Sequence, residues 1–70
     1  MADMCSNMTG TVWKVLVNVG DQVALDQDVV ILESMKMEMM VPSTLAGKVK
    51  EIKVAVDHFV QEGQVLMTIE

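Results

Sequence analysis

The stretch ESMKMEM holds the residues of this sequence that are best suited to chemistry. Lys36 stands between Met35 and Met37, and Glu33 and Glu38 flank this trio. Burying an unpaired lysine costs free energy, and exposing the two methionines beside it makes an unusual surface, so the stretch is unusual in either arrangement. Two interpretations follow from the residues alone. Either the methionines fill gaps in the core while Lys36 reaches solvent from an edge, or Lys36 is displayed for its primary amine.

The other residues that could do chemistry are too few to form a second site. Cys5 is the single cysteine and cannot form an internal disulfide. His58 is the single histidine, and together with one cysteine it does not make a metal-ligand cluster. The sequence shows no nucleophile paired with a base, so we expect a protein that is not an enzyme and holds no metal.

The composition predicts one small globular domain spanning residues 1–70. Of the 70 residues, 51% are hydrophobic, so a thin core is used heavily. Five lysines against ten acidic residues give a net charge of −5, which argues against nucleic acid and anionic membrane as partners. No apolar run is long enough to span a bilayer, and no signal-peptide pattern is present. We expect a cytoplasmic location and a monomer.

An internal repeat organises the chain into two halves. An offset of 37 residues places 10–33 on 47–70 without a gap, with seven identical pairs among 24. The identical pairs are Gly10/Gly47, Val12/Val49, Val17/Val54, Val19/Val56, Val23/Val60, Gln27/Gln64 and Glu33/Glu70. Chance similarity stays open at this point, because the chain is rich in valine. True repetition predicts two similar halves joined by a connector at 34–46.

Alternation of apolar residues predicts a strand in each half. The pattern runs over 14–19 and again over 51–56, which is typical of a strand with one buried face. Val12 and Val49 lie three positions before the first alternating valine or isoleucine, so they are out of phase with it. Because the slip occurs at the same place in both halves, we predict a β-bulge or a bend in each strand.

The remaining patterns also favour strands. Continuous apolar runs of strand length at 29–32 and 65–69 follow segments with turn-prone residues. β-branched residues dominate and no long helical period appears, so helix is disfavoured. We predict an all-β fold, a flattened barrel or sandwich of two similar antiparallel sheets related by a pseudo-two-fold axis.

The connector must leave one strand and return as another. A tight turn at residues 35–37 would place Lys36 at the tip of an exposed β-hairpin. The other four lysines lie in or beside the predicted strands and alternate with apolar residues, so we interpret them as solvated. From chemistry alone, display of Lys36 and core packing of its neighbours stay equally open.

The sequence resembles the biotinyl/lipoyl attachment domain family over residues 4–70. The matching segments are MTGTVWKVLVNVGDQV, ILESMKME, GKV and VQEGQVL, which begin at residues 8, 31, 47 and 60. It is especially similar to the small stand-alone attachment proteins and to the carrier domains that lack a thumb insertion, because the gapless repeat leaves no room for one. Asp26, Asp57 and His58 depart from the residues usual in the family. Asp tolerates left-handed turns, so these departures question local stability more than function.

The resemblance implies that Lys36 is the residue to which a biotin protein ligase attaches biotin. It further implies a biotin carboxyl carrier that serves a biotin carboxylase and a carboxyltransferase. Met35 and Met37 belong to the family's acceptor motif, and Glu33 and Glu38 are expected to be recognised by the ligase or to be solvated turn residues. Two alternatives stay open: a lipoyl carrier on the same fold, disfavoured by the flanking methionines, and an unmodified protein-interaction module.

Overall fold

The computed structural model describes residues 2–70, and the regular elements in this part of the chain are all β-strands. They are β1 (Ala2–Cys5), β2 (Gly10–Val15), β3 (Gln22–Val23), β4 (Asp28–Ser34), β5 (Met37–Pro42), β6 (Gly47–Ile52), β7 (Phe59–Val60) and β8 (Val65–Ile69). The predicted all-β fold is confirmed. In residues 2–70 there is no helix that could cross a membrane.

The strands form two four-stranded antiparallel sheets, as predicted. One has the order β5-β4-β2-β7 and is called the hairpin sheet; the other has the order β1-β8-β6-β3 and is called the terminal sheet. An aliphatic core fills the space between them. Its buried residues are Met4, Val12, Val17, Val23, Val29, Val30, Leu32, Val41, Val49, Val54, Val60, Leu66, Met67 and Ile69.

The offset of 37 residues relates strands β1–β4 to strands β5–β8, and it is visible in individual hydrogen bonds. The Val12 N–H donates to the carbonyl of residue 58 at 2.7 Å, and the Val12 carbonyl accepts from the N–H of residue 57 at 2.8 Å. Val49 exchanges the equivalent two with residues 20 and 21, each at 2.8 Å. Each sheet combines two strands from each half, so the halves are interleaved and confirm the predicted pseudo-two-fold symmetry.

Ser6 and Ser43 extend this relationship beyond the halves drawn from the sequence. Both side chains are buried, and each hydroxyl donates a hydrogen bond to the carbonyl two residues on, at Met8 (2.6 Å) and Leu45 (2.5 Å). Because the two local networks match, the repeat also relates the backbone that follows β1 to the backbone that follows β5.

Both predicted β-bulges are present. The pairing of β2 with β4 changes register between Val12 and Lys14, and the pairing of β6 with β8 changes between Val49 and Glu51. An extra residue in one strand explains why Val12 and Val49 are buried although they are out of phase with the valines that follow.

The two alternating strands are shorter than predicted. β2 and β6 end before the alternation does, and although Val17 and Val54 are still buried, Val19 and Val56 are 62% and 52% exposed. Beyond each strand the chain crosses to the other half, where residue 20 donates to the carbonyl of Val49. The prediction of strand through residues 19 and 56 is therefore wrong, because the apolar alternation of the sequence continues after the strand pairing has ended.

Left-handed backbone occurs at symmetry-related positions, with glycine in one half and aspartate in the other. Gly20 and Asp57 have φ of 96° and 78°, and Asp26 and Gly63 have φ of 69° and 87°. Asp is one of the few L-residues that adopt this conformation at modest cost, so these departures from the family pattern preserve the turns.

His58 performs the structural task that Asp21 performs in the other half. The Nδ1 atom of His58 accepts a hydrogen bond from the backbone N–H of Ala55 at 3.1 Å. The Oδ2 atom of Asp21 accepts the equivalent bond from Asn18 at 2.8 Å. The imidazole thus closes the same turn as the carboxylate.

Candidate functional site

The candidate site is the turn of the β4–β5 hairpin. Ser34 and Met37 form the last strand pair, so the turn has two residues, Met35 and Lys36. Both have positive φ, 53° and 64°, as a type I′ hairpin turn requires. The predicted exposed hairpin is confirmed, with one adjustment: Met37 is the first residue of β5 and not part of the turn.

The turn residues adopt a conformation that their side chains disfavour. Type I′ turns prefer Asn-Gly or Gly-Gly, and an L-residue in the left-handed region costs about 1–2 kcal/mol. The register is nevertheless fixed by the pairing of β4 with β5, which runs from Asp28 opposite Pro42 to Ser34 opposite Met37. A strained turn held by well-paired strands is a common property of functional sites.

The side chains around the turn are exposed. Met35 is 92% exposed and Met37 is 62% exposed, so neither fills the core, and that interpretation of the motif is wrong. Lys36 is exposed as well, and within residues 2–70 its ammonium group takes part in no ion pair or hydrogen bond. The amine is therefore displayed to solvent between two flexible apolar side chains.

Glu33 and Glu38 lie directly opposite each other on β4 and β5, and both are exposed. Carboxylates facing each other across a strand pair repel, so this arrangement weakens the hairpin slightly. It also places two negative charges at the base of the turn that holds Lys36. The structure therefore brings together all five residues that the sequence singled out.

Sequence reasoning did not single out Ser34, Met39 or Met40. Ser34 closes the last pair before the turn, while Met39 and Met40 are 39% and 54% exposed on β5. A usable signal was present: four of the eight methionines fall between residues 35 and 40. Such a concentration of methionine next to a lysine is unusual for a strand that only serves packing.

In the described part of the chain the site is a protrusion and not a cleft. Residues 2–70 contain no pocket and no group of three side chains able to hold a metal ion. Cys5 is exposed on β1, in the terminal sheet, and His58 serves the turn already described.

The chain thus displays a lysine on a strained hairpin turn of a duplicated β scaffold. The chain belongs to the biotin/lipoyl attachment family, whose model, described as "Biotin-requiring enzyme", matches residues 1–69.

Two relatives illustrate the similarity. The chain is 48% identical to the biotin/lipoyl attachment protein of Bacillus subtilis (strain 168), over 89% of this chain and 85% of that protein. It is 47% identical to the biotin carboxyl carrier protein of Streptococcus mutans, over 94% of this chain and 51% of that protein. The matched proteins also include a dihydrolipoyllysine-residue acetyltransferase component of pyruvate dehydrogenase complex from Haemophilus influenzae.

A solved structure agrees with the fold. The chain superposes on part of the urea carboxylase of Kluyveromyces lactis with a TM-score of 0.87 and 37% identity, covering 97% of this chain and 6% of that one. The Bacillus subtilis relative, which is matched over 85% of its length, is an attachment protein, and this chain is accordingly an attachment carrier domain.

Proposed function

We propose that this chain is a biotin carboxyl carrier and that biotin is attached to Lys36. The observation that carries the proposal is the display of the Lys36 amine on an exposed two-residue turn, without an ion-pair partner in residues 2–70. The similarity to a biotin carboxyl carrier protein supports the same cofactor.

The residues present fit a covalently attached biotin. In the attachment step the neutral Nζ of Lys36 attacks an activated biotinyl carboxyl; a C–N amide bond forms, the bond to the activating group breaks, and the amine loses a proton. Because Glu33 and Glu38 at the base of the turn are exposed carboxylates, which are weak bases, we assign deprotonation of the Lys36 ammonium to the biotin protein ligase. Attachment removes one positive charge, and the net charge changes from −5 to −6.

The geometry also fits transfer between two enzyme sites. When attached, biotin supplies the ring nitrogen that carries a carboxylate from a biotin carboxylase to a carboxyltransferase. The chain supplies a narrow hairpin that can enter a cleft, and the paired strands behind it fix its direction. Tethering gives the cofactor a high effective concentration at both sites. Met35 and Met37 provide adaptable apolar contacts next to the attachment point.

A lipoyl carrier is the second candidate function. It is favoured by the similarity to a dihydrolipoyllysine-residue acetyltransferase component, which is 43% identical over 86% of this chain. The methionines on both sides of Lys36 favour biotin, since they complete the acceptor motif of the biotin branch.

The test is the intact mass of the chain after co-expression with a biotin protein ligase and excess biotin, followed by peptide mapping. We expect one biotinyl addition at Lys36. Lys36→Arg should abolish it, whereas Lys48→Arg, which changes another exposed lysine in the same way, should leave it unchanged.

Three outcomes are informative. Addition at Lys36 alone supports the proposal. The experiment is repeated with a lipoate ligase and lipoate in place of the biotin ligase and biotin. A lipoyl addition in this second experiment, with no biotinyl addition in the first, supports the lipoyl carrier. A folded chain that receives neither group would contradict both and leave the unmodified interaction module.

A further inference from the structure

The exposed methionines of the chain share one location. In the described residues 2–70 four methionines are exposed, and all four lie on the hairpin that carries Lys36: Met35, Met37, Met39 and Met40. The other described methionines are sheltered, since Met4 and Met67 are fully buried and Met8 is half-buried against the core. Every exposed methionine in this part of the chain therefore lies within four residues of Lys36.

The fold does not require methionine at these positions. Met35 occupies a left-handed turn position, with φ of 53°, that favours Asn or Gly, and at 92% exposure it adds almost nothing to the core. The repeat supplies a comparison for Met39 and Met40, whose equivalents in the other half are Ala2 and Asp3. The same scaffold thus accepts a small or a polar side chain there. The exposed thioethers are consequently available for chemistry.

An exposed thioether reacts with peroxides. In this two-electron oxidation an S=O bond forms on the methionine, the O–O bond of the peroxide breaks, and water leaves. The change is reversible: a methionine sulfoxide reductase restores the thioether, the oxygen leaves as water, and two thiols are oxidised to a disulfide. The fully buried Met4 and Met67 are shielded from the same reagent. Mild oxidation therefore changes the hairpin and leaves the core intact.

The biotin protein ligase must close around the side chains that oxidation changes. An enzyme that keeps water from an activated biotinyl carboxyl has to enclose the Lys36 amine. Met35 and Met37 are the chain neighbours of Lys36, with Cα atoms about 3.8 Å from its own, so they lie against the same enzyme surface. Oxidation puts a polar S=O group into this apolar contact, and burying such a group without a hydrogen-bond partner opposes binding.

Building on the proposed function, we propose that Met35 and Met37 are a reversible oxidation site that controls the attachment of biotin. As thioethers they allow the ligase to reach Lys36, and as sulfoxides they exclude it until a reductase restores them. The ligase is the enzyme affected, because it needs the free amine of Lys36. Methionine oxidation does not reverse an amide that has already formed, so the site controls chains that have yet to receive biotin.

The test measures attachment before and after mild oxidation by hydrogen peroxide. All chains carry Cys5→Ser, which removes the exposed thiol of the terminal sheet. The double variant Met35→Leu, Met37→Leu keeps apolar side chains but has no sulfur at the proposed site. Its matched control, Met39→Leu with Met40→Leu, removes two sulfurs from the same hairpin and retains the site. Peptide mapping identifies the oxidised methionines, and circular dichroism checks that each chain is folded.

Each chain is compared with its own untreated sample, through kcat/KM for the chain as substrate of a biotin protein ligase. We expect oxidation to lower this value about tenfold in the parent chain and in the control, as burial of an unpaired polar group does. In the variant without sulfur at residues 35 and 37 it should change less than about twofold, since no polar group forms there.

A second measurement needs no substitution at the site. The oxidised parent chain is treated with a methionine sulfoxide reductase and a dithiol, and samples are taken at successive times. We expect kcat/KM to recover in proportion to the reduction of residues 35 and 37 in the peptide map.

The outcomes separate this inference from the proposed function. Equal kcat/KM before and after oxidation of residues 35 and 37 would overturn the oxidation site while leaving the carrier function intact. An equal loss in the variant that lacks these two sulfurs would overturn their assignment. Failure of the untreated parent chain to accept biotin would contradict the proposed function, and the inference with it.

Discussion

The conformation of the hairpin turn predicts that one substitution should stabilise the protein. Met35 has φ of 53° and is 92% exposed. Its left-handed backbone therefore destabilises the folded state, and burial of its side chain offsets little of this. That cost is about 1–2 kcal/mol for an L-residue, and glycine avoids it. Glycine itself destabilises the folded state by about 0.5–1 kcal/mol, because it gives the unfolded chain more conformational freedom. Met35→Gly should therefore raise the free energy of unfolding by about 0.5–1 kcal/mol.

The matched control is the same substitution two residues later. Met37 is also exposed but begins β5, and it is not among the residues with positive φ. Glycine in a strand loses stability, so Met37→Gly should lower the free energy of unfolding by about 0.5–1 kcal/mol. The opposite signs make the comparison independent of any general effect of removing an exposed methionine.

Urea unfolding followed by circular dichroism measures both variants. In thermal unfolding of a domain of this size, 1 kcal/mol corresponds to a change in Tm of about 4–8 °C, so the Tm values of the two variants should differ clearly. Destabilisation by both substitutions to the same degree would show that residue 35 is not held in a left-handed turn. We further expect Met35→Gly to accept biotin more slowly, since it removes an apolar contact next to Lys36 while stabilising the scaffold.

Three further predictions concern packing and exposure. Gly47→Ala should destabilise the protein by about 1–3 kcal/mol in thermal unfolding, because its Cβ would collide with the carbonyl oxygen of the last residue; an unchanged Tm would contradict this. Limited oxidation by hydrogen peroxide should convert the exposed Met35 to the sulfoxide well before the fully buried Met67. Peptide mapping at successive times measures the oxidised fraction of each methionine, and equal rates would contradict the prediction. Leu66→Ala, in the core, should cost about 2–5 kcal/mol in urea unfolding, whereas Leu25→Ala, at 60% exposure, should cost under about 0.5 kcal/mol.

The repeat made part of the fold predictable from the sequence. Val12 and Val49 were out of phase in the same way, and one chance defect would not have been duplicated; the structure shows a bulge beside each. The resemblance to a known family then added the role expected of Lys36, which composition and spacing alone left open.

Other features depended on contacts that a local pattern does not contain. β1 was not predicted, because only one of its four residues is buried and its partner, β8, is at the other end of the chain. β3 and β7 have two residues each, too few to show any period. The turn was predicted one residue too long, since Met35-Lys36 lacks the usual turn residues and its length is set by the register of β4 against β5.

The interleaving of the halves has a consequence for biosynthesis. Ala2 pairs with Ile69, and Val12 forms backbone hydrogen bonds with residues 57 and 58. The strands that are synthesised first therefore have partners that are synthesised much later. At 5–20 residues per second, the 37 residues that follow the first half take roughly 2–7 s to synthesise. During that interval the apolar faces of β2 and β4 have only part of their cover. A chain that ends before β6 lacks strands of both sheets, so the two sheets that support the β4–β5 hairpin are complete only after β8 has been made.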